Sequence, residues 1–267
     1  MSEPTPVPDP LAVRRRFASH LTGAGVEIGP GHVPFPVPPT VHVQYVDRWE
    51  PSVLSSLFPE LGDSPGFLKP DIVANLNADR LSGLADASQH FVIASHVIEH
   101  LANPIAMLVD CYRVLRPGGL LVLLVPDRHK TFDRERSPTP LTHVIDEYNR
   151  DVREVDDAHV LDYMVGTRNT LGDPSVTLGF TPEMMADLVA VHRKRSVHAH
   201  VWNLDEFSEV LSFVTDKLGL QWQVVDTMPP GADGSYGDEF GWVLSRTAES
   251  RRFRTRRLER LWRKRLD

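Results

Sequence analysis

Cysteine is almost absent: the 267-residue chain has one, Cys111. A single thiol excludes an intramolecular disulfide framework, and its place in the helix-like run MLVDCYRVL favours packing as a small hydrophobe over nucleophilic chemistry. This usage points to a reducing, cytoplasmic setting. Long apolar runs are also missing. Nowhere do about 18 apolar residues follow one another, and the N-terminal MSEPTPVPDP has no apolar h-region, so neither a spanning helix nor an export signal is read. A third lack concerns glycine. The stretch VEIGPGHVPFPVPP opens like the turn of a nucleotide-binding fold, but Pro34 stands where G-x-G-x-x-G needs its third glycine. The close packing of a helix against a pyrophosphate is thereby lost, which argues against NAD or FAD.

What is present is an alternation of strands and helices. Hydrophobic residues make up 41% of the chain, enough at this length for one full core. Residues 11–22 pattern as a short amphipathic helix, 26–28 as a strand and 41–46 as a second strand ending at Asp47. The PFPVPP between them predicts an extended crossover, because each proline removes a donor and restricts its predecessor. A helix over 50–61, the strand DIVANL and the apolar strand HFVIAS follow, then a helix opened by Asn103-Pro104 and stopped by RPGG, and the strand LLVLLVP. After a weakly patterned stretch, the helix LDEFSEVLSFVTDKLG and the strands QWQVVD and FGWVLS complete the pattern. The expected architecture is α/β: a doubly wound, mostly parallel seven-stranded sheet. Residues 1–245 form the domain, and about 128–197 form an inserted acceptor lid with two weak helices, near 141–155 and 181–193.

A sharp turn at the carboxyl end of the first strand leaves bare main chain against which a ligand without phosphates can sit. Asp47, 18 residues after Gly29 and at the end of the second strand, is placed to accept from both hydroxyls of a ribose. These features fit a phosphate-free nucleoside such as S-adenosylmethionine (SAM). The block ASHVIEHLANPIAMLVDCYRVLRPGGLLVLLVPD then resembles the fourth-strand to fifth-strand region of class I SAM-dependent methyltransferases, with VEIGPG similar to their first motif and YVD to their second acidic position. The likeness spans roughly residues 24–127. Further on, HKTFDRERSPTPLTHVIDEY, HAHVWNLDEFSEVL and DEFGWVLS resemble a bacterial branch associated with polysaccharide genes, including actinobacterial sugar O-methyltransferases such as those of methylmannose polysaccharide synthesis. His90 departs from the Asp common before the fourth strand of that family.

The resemblance implies a Rossmann-like methyltransferase fold, SAM as cofactor and a saccharide hydroxyl as acceptor. By position, it implies that Glu27, Gly29 and Gly31 shape the methionine end, Asp47 holds the ribose, Asn75 with Leu76 lies along the adenine edge, and Ser95 and His96 border the sulfonium. A structural strand-end role competes for Glu27 and Asn75, and a local helix-start role for His100.

A sugar hydroxyl is a poor nucleophile until its proton leaves, so a base, a metal-bound alkoxide or both is needed. His143 and Asp146 in THVIDEY are expected to share a helix face, the carboxylate fixing the imidazole tautomer; an exposed helix pair is the plainer alternative. Asp127 closes the fifth strand at the ligand-binding edge. His198 and His200 in VHAHVW alternate like a strand and should point to one face, where with a carboxylate they could hold a divalent ion, Mg²⁺ or Mn²⁺; substrate binding and packing are the alternatives. Arg134 and Arg136 suit sugar hydroxyls or an anionic acceptor.

The net charge of −7 is unevenly spread: residues 246–267 carry ten Arg or Lys against three acids. This basic tail, with Phe253, Leu258, Leu261 and Trp262 at helical spacing, is expected to dock on the acidic body, on a second subunit of a homodimer, or on an anionic membrane surface. With no RNA-binding module in the chain, nucleic acid is the weaker reading. Competing functions are methylation of a small natural product or lipid, a SAM-binding module without turnover, and an RNA-binding protein using its tail.

Overall fold

The computed structural model describes residues 9, 11–61, 66–171 and 181–247. Seven strands form one sheet in the order β3-β2-β1-β4-β5-β7-β6. They are β1 (Ala24–Ile28), β2 (His42–Asp47), β3 (Ile72–Val73), β4 (Gln89–Ser95), β5 (Leu115–Pro126), β6 (Trp222–Met228) and β7 (Glu239–Arg246). The first five run parallel, and β7 is antiparallel to both β5 and β6. Because β1 pairs with both β2 and β4, the winding reverses there, and a crevice opens beyond the carboxyl ends of those two strands.

The strand period of two sorts the core. On β4, Val92 and Ala94 face a cluster shared with the helices α3 (Pro104–Val114) and α7 (Leu204–Asp216). Phe91 and Ile93 face the opposite cluster, with Phe17 of α1 (Ala12–Ala18) and Phe35 of the proline-rich crossover. The crossover is extended, as its prolines require, and Phe35 fills the space a helix would otherwise cover. Cys111 is buried in α3, where burial pushes its thiol upward, in keeping with a packing role.

Three elements differ from the sequence reading. Only Ile72–Val73 of DIVANL is strand, because Asp71 accepts from the Tyr45 amide and Asn75 from that of Asn77, side-chain bonds that compete with the ladder. RPGG does end α3, yet it is drawn into the start of the long β5, with a register shift between Gln89 and Phe91. The described residues of the insert carry three helices where two were expected: α4 (Leu141–Arg150), α5 (Asp157–Leu171) and α6 (Pro182–Arg195). Gly166 weakened the signal for α5, since a mid-helix glycine costs about 1 kcal/mol relative to alanine. The packing explains it: a Cβ at Gly166 would lie 2.3 Å from Cγ of the buried Arg136. A short helix α2 (Pro51–Leu57) precedes β3. Arg246 and Thr247 are described, but the rest of the basic tail, with its proposed apolar stripe, lies outside the described residues. No helix among the described residues is long and apolar enough to cross a membrane.

Asn103 joins the sheet layer to the insert. Its Oδ1 caps α3 by accepting from the Ala106 amide at 2.9 Å, and its Nδ2 donates to the Glu147 carbonyl at 3.1 Å. Asn103→Ala is expected to cost about 0.5 to 2 kcal/mol, chiefly the lost cap, since the Glu147 carbonyl keeps the Asp151 and Val152 amides. Urea denaturation checks this, and an unchanged midpoint with an unchanged slope would contradict it.

Candidate functional site

The crevice at the switch point holds a cavity of about 350 Å³. Gly29, Asp47, Asn75, Leu76 and His96, five residues expected to contact the cofactor, line it together. Gly29 follows β1 with φ +61°, a left-handed conformation that favours glycine, and a Cβ there would lie 3.3 Å from Cγ2 of Val97. Asp47, at the end of β2, accepts from the Trp49 amide at 3.3 Å, and burial raises its carboxyl above the ordinary value despite the amides of Trp49 and Arg48. Trp49, Leu54, Leu57 and Phe58 supply an apolar wall. A second hollow of about 250 Å³ shares Arg48, Asn75, Asn77, His100 and Ser196 with the first and adds Arg153 and Glu154. An apolar-walled chamber thus adjoins a polar, cation-rich one.

The other three residues of that expected set are not among the residues lining the cavity. Gly31 (φ +57°) accepts from the Leu68 amide through its carbonyl. Glu27 is buried: Oε1 accepts from the Phe35 amide at 2.8 Å and so ties down the crossover, while Oε2 has no partner. Burial pushes its carboxyl up to about 7. Ser95 accepts from Arg14 of α1 at 3.1 Å, and the same guanidinium pairs with the fully buried Glu239 at 2.5 Å. Glu239 also accepts from Nε2 of His96 at 2.6 Å. Burial opposes charge on both partners, yet the pairing prevails, holding Glu239 below the usual carboxylate range and His96 above its own. Arg14 and Glu239 escaped sequence reading. The arginine run at 14–16 shows no sign of which member turns inward, and Glu239, though inside DEFGWVLS, was not read as a site residue.

Beside the cavity, the short turn Ile98–His100 buries Glu99 completely, and neither carboxylate oxygen has a hydrogen-bond partner. Imidazole nitrogens surround it: Nε2 of His100 at 3.7 Å, Nε2 of His198 at 3.9 Å and Nδ1 of His96 at 3.9 Å. His100 uses Nδ1 to donate to the Val197 carbonyl at 2.9 Å, and His198 uses Nδ1 to donate to Asp133 at 2.6 Å. In the neutral tautomer each therefore presents an Nε2 lone pair. Three lone-pair atoms, from Glu99, His100 and His198, lie within 4.8 Å of one another, with the outer nitrogens anchored as in metal-binding histidines. Burial lowers the His100 pKa against its acidic neighbour, which keeps that lone pair free.

The expected catalytic pair separates. Asp146 points away from His143 to pair with Arg150 at 2.8 Å, both exposed. The carboxylate facing His143 is Glu147, one turn along at 3.3 Å, so the spacing of four prevails over the spacing of three. His143 is not among the residues lining the cavity. Asp127 is buried and caps its own turn by accepting from the His129 amide at 2.9 Å; neither potential ligand group among the described residues includes it. His198 and His200 lie in an irregular segment, not a strand, and their rings part: His198 joins Glu99, and His200 joins Glu147 at 2.9 Å. Arg134 is exposed, whereas Arg136 is buried against Asp133 and Asp162.

The cavity lies at the switch point of a seven-stranded sheet with one antiparallel strand, a Rossmann-like α/β arrangement. The sequence family described as "Methyltransferase domain" matches residues 58–123. A Mycolicibacterium smegmatis protein named "Probable S-adenosylmethionine-dependent methyltransferase" is 45% identical over 58 residues, 22% of each chain. The ubiquinone biosynthesis O-methyltransferase of Maricaulis maris is 39% identical over 51 residues, 19% of this chain and 20% of its own. The chain thus spans about a fifth of the length of these curated relatives. Among solved structures, a SAM-dependent methyltransferase of Thermotoga maritima shares 15% identity, with 89% of each chain covered and a TM-score of 0.45.

The Glu27 environment generates a pH prediction. Its folded value of about 7 lies above the unfolded 4.5, so the protonated form favours the fold, and that contribution is lost as pH rises from 4.5 to about 7. Glu27→Gln should flatten the fall in unfolding free energy across this window, by about 3 kcal/mol at most. Superimposable stability profiles for variant and wild type would contradict it.

Proposed function

We propose that the protein is a SAM-dependent O-methyltransferase acting on a hydroxyl of a saccharide. The observation that carries this reading is the joined pair of chambers at the switch point, one walled by Gly29, Asp47, Leu76 and apolar side chains, the other by Arg48, Asn77, Arg153 and Glu154. The first suits a nucleoside. Asp47 would accept from the ribose hydroxyls, Asn75 and Leu76 would flank the adenine, and the main chain at Gly29 would allow close approach. When bound, SAM supplies an electrophilic methyl on a sulfonium. The residues present fit it, because the Asp47 carboxylate is held at the cavity wall with part of its hydrogen-bonding capacity unused.

The polar hollow suits a hydroxyl-rich acceptor, which guanidinium and amide groups orient by hydrogen bonds. Orientation is the main contribution to an in-line displacement, worth roughly 7 to 11 kcal/mol in intramolecular reactions. His100 borders both chambers, and with Glu99 and His198 it would hold a divalent cation there. The mixed nitrogen and oxygen donors favour Mn²⁺ over Mg²⁺, and such an ion would act as a Lewis acid on the acceptor hydroxyl. His96 commits its Nε2–H to Glu239, which fixes its ring at the cavity wall. The likeness of the HKTFDRER and HAHVWNLDEF segments to sugar O-methyltransferases supports the saccharide over a small natural product or lipid.

Release of S-adenosylhomocysteine against a panel of oligosaccharides, lipids and phenols tests the reading. Saccharide-dependent release is expected; release only with phenols or lipids would move the acceptor class, and tight binding of NADH would overturn the fold-level reading. Asp47→Ala should weaken SAM by about 1.5 to 3 kcal/mol, measured by calorimetry. Glu99→Gln should lower kcat by about a hundredfold or more while leaving SAM affinity within twofold, and full activity after exhaustive chelation would remove the cation.

A further inference from the structure

We infer that the insert holds a second, structural metal ion, a Zn²⁺-class divalent cation bound by His143, Glu147, His159 and His200. This site lies outside the cavity pair and does not rest on the methyltransferase reading. Nε2 of His143 and Nε2 of His159 are 3.1 Å apart, and they lie 3.3 and 3.1 Å from Oε1 of Glu147. Nε2 of His200 is 2.9 Å from the other oxygen of the same carboxylate. Zinc bonds to nitrogen and oxygen of roughly 2.0 to 2.1 Å place tetrahedral ligands about 3.3 to 3.4 Å apart, close to the three edges measured here.

Proton bookkeeping points the same way. His159 donates Nδ1–H to Asp156 at 2.7 Å, so a neutral ring presents a lone pair from Nε2 to Glu147 and His143. Glu147 is buried, and its Oε1 has no satisfied hydrogen bond. The Nε2 lone pair of His159 thus faces an Oε1 that no hydrogen bond satisfies, and a cation at the centre of the group would compensate both. Three imidazoles with one carboxylate favour zinc over magnesium or calcium. His143 is 42% exposed in its side chain, which gives an ion a way in, while His159 and His200 are sheltered.

The ligands come from separate elements: His143 and Glu147 from α4, His159 from α5 and His200 from the segment after α6. The His200 amide donates to the Glu99 carbonyl at 3.0 Å, and Asn103 holds the Glu147 carbonyl. An ion there would clasp the insert to the turn that carries Glu99.

Co²⁺ titration of the full, metal-stripped chain tests this without substrate or cofactor. Tetrahedral coordination should give an intense visible Co²⁺ absorption that His143→Ala weakens at least tenfold in affinity and His159→Ala abolishes, while Glu99→Gln leaves it intact. Zn²⁺ should displace Co²⁺ one for one and raise the thermal midpoint of wild type but not of His159→Ala. His143→Ala alters an exposed side chain and should fold normally by circular dichroism. Absence of the band in wild type, or its loss in Glu99→Gln with retention in His159→Ala, would overturn the assignment. Failure of the methyltransferase reading alone would leave the Co²⁺ result unchanged.

Discussion

A carboxylate buried without a hydrogen-bond donor sits where the central strand β4 gives way to its turn, and much of the site is arranged around it. Leaving an ion uncompensated in the interior costs several kcal/mol even after relaxation. The structure spends further groups on aiming lone pairs at Glu99. His198 is fixed by Asp133, Asp133 is held by the buried Arg136, and Arg136 lies flat on α5 because Gly166 has no side chain. These contacts fix the ring of His198 with its Nε2 toward Glu99.

Three buried carboxylates near this edge show the contrast. Glu239 has a guanidinium and an imidazole and needs nothing more. Glu147 has three imidazole nitrogens within 3.3 Å, and although burial opposes its ionisation, they keep its carboxyl well below the usual range. Glu99 has imidazole nitrogens only beyond hydrogen-bond distance. The first is a fixed pair that holds His96 at the cavity wall, the second sits among helices of the insert, and the third lies buried beside His100, which lines both chambers.

Sequence alone carried the sheet well, because buried parallel strands such as HFVIAS and LLVLLVP leave continuous apolar runs between recognisable breaks. It also carried the cavity, since Gly29, Asp47, Asn75, Leu76 and His96 all stand at strand ends fixed by that sheet. Side-chain partnerships in the insert were not legible. His143 could pair at three or four residues' distance, and only the approach of α5 and of His200 selects Glu147 over Asp146. His198 and His200 alternate in sequence, yet their segment runs between two clusters and sends one ring to each. His100 was visible in VIEHL, but whether it was a helix start or served chemistry depends on a histidine nearly a hundred residues away, and Glu99 beside it was not singled out at all.

The most direct measurement is anomalous diffraction at the manganese edge from crystals grown with Mn²⁺ and S-adenosylhomocysteine. The account predicts a peak within coordination distance of Glu99, His100 and His198, with the nucleoside in the neighbouring chamber and its ribose on Asp47. A nucleoside bound there with no anomalous density beside Glu99, or Mn²⁺ found only at surface carboxylates, would contradict it.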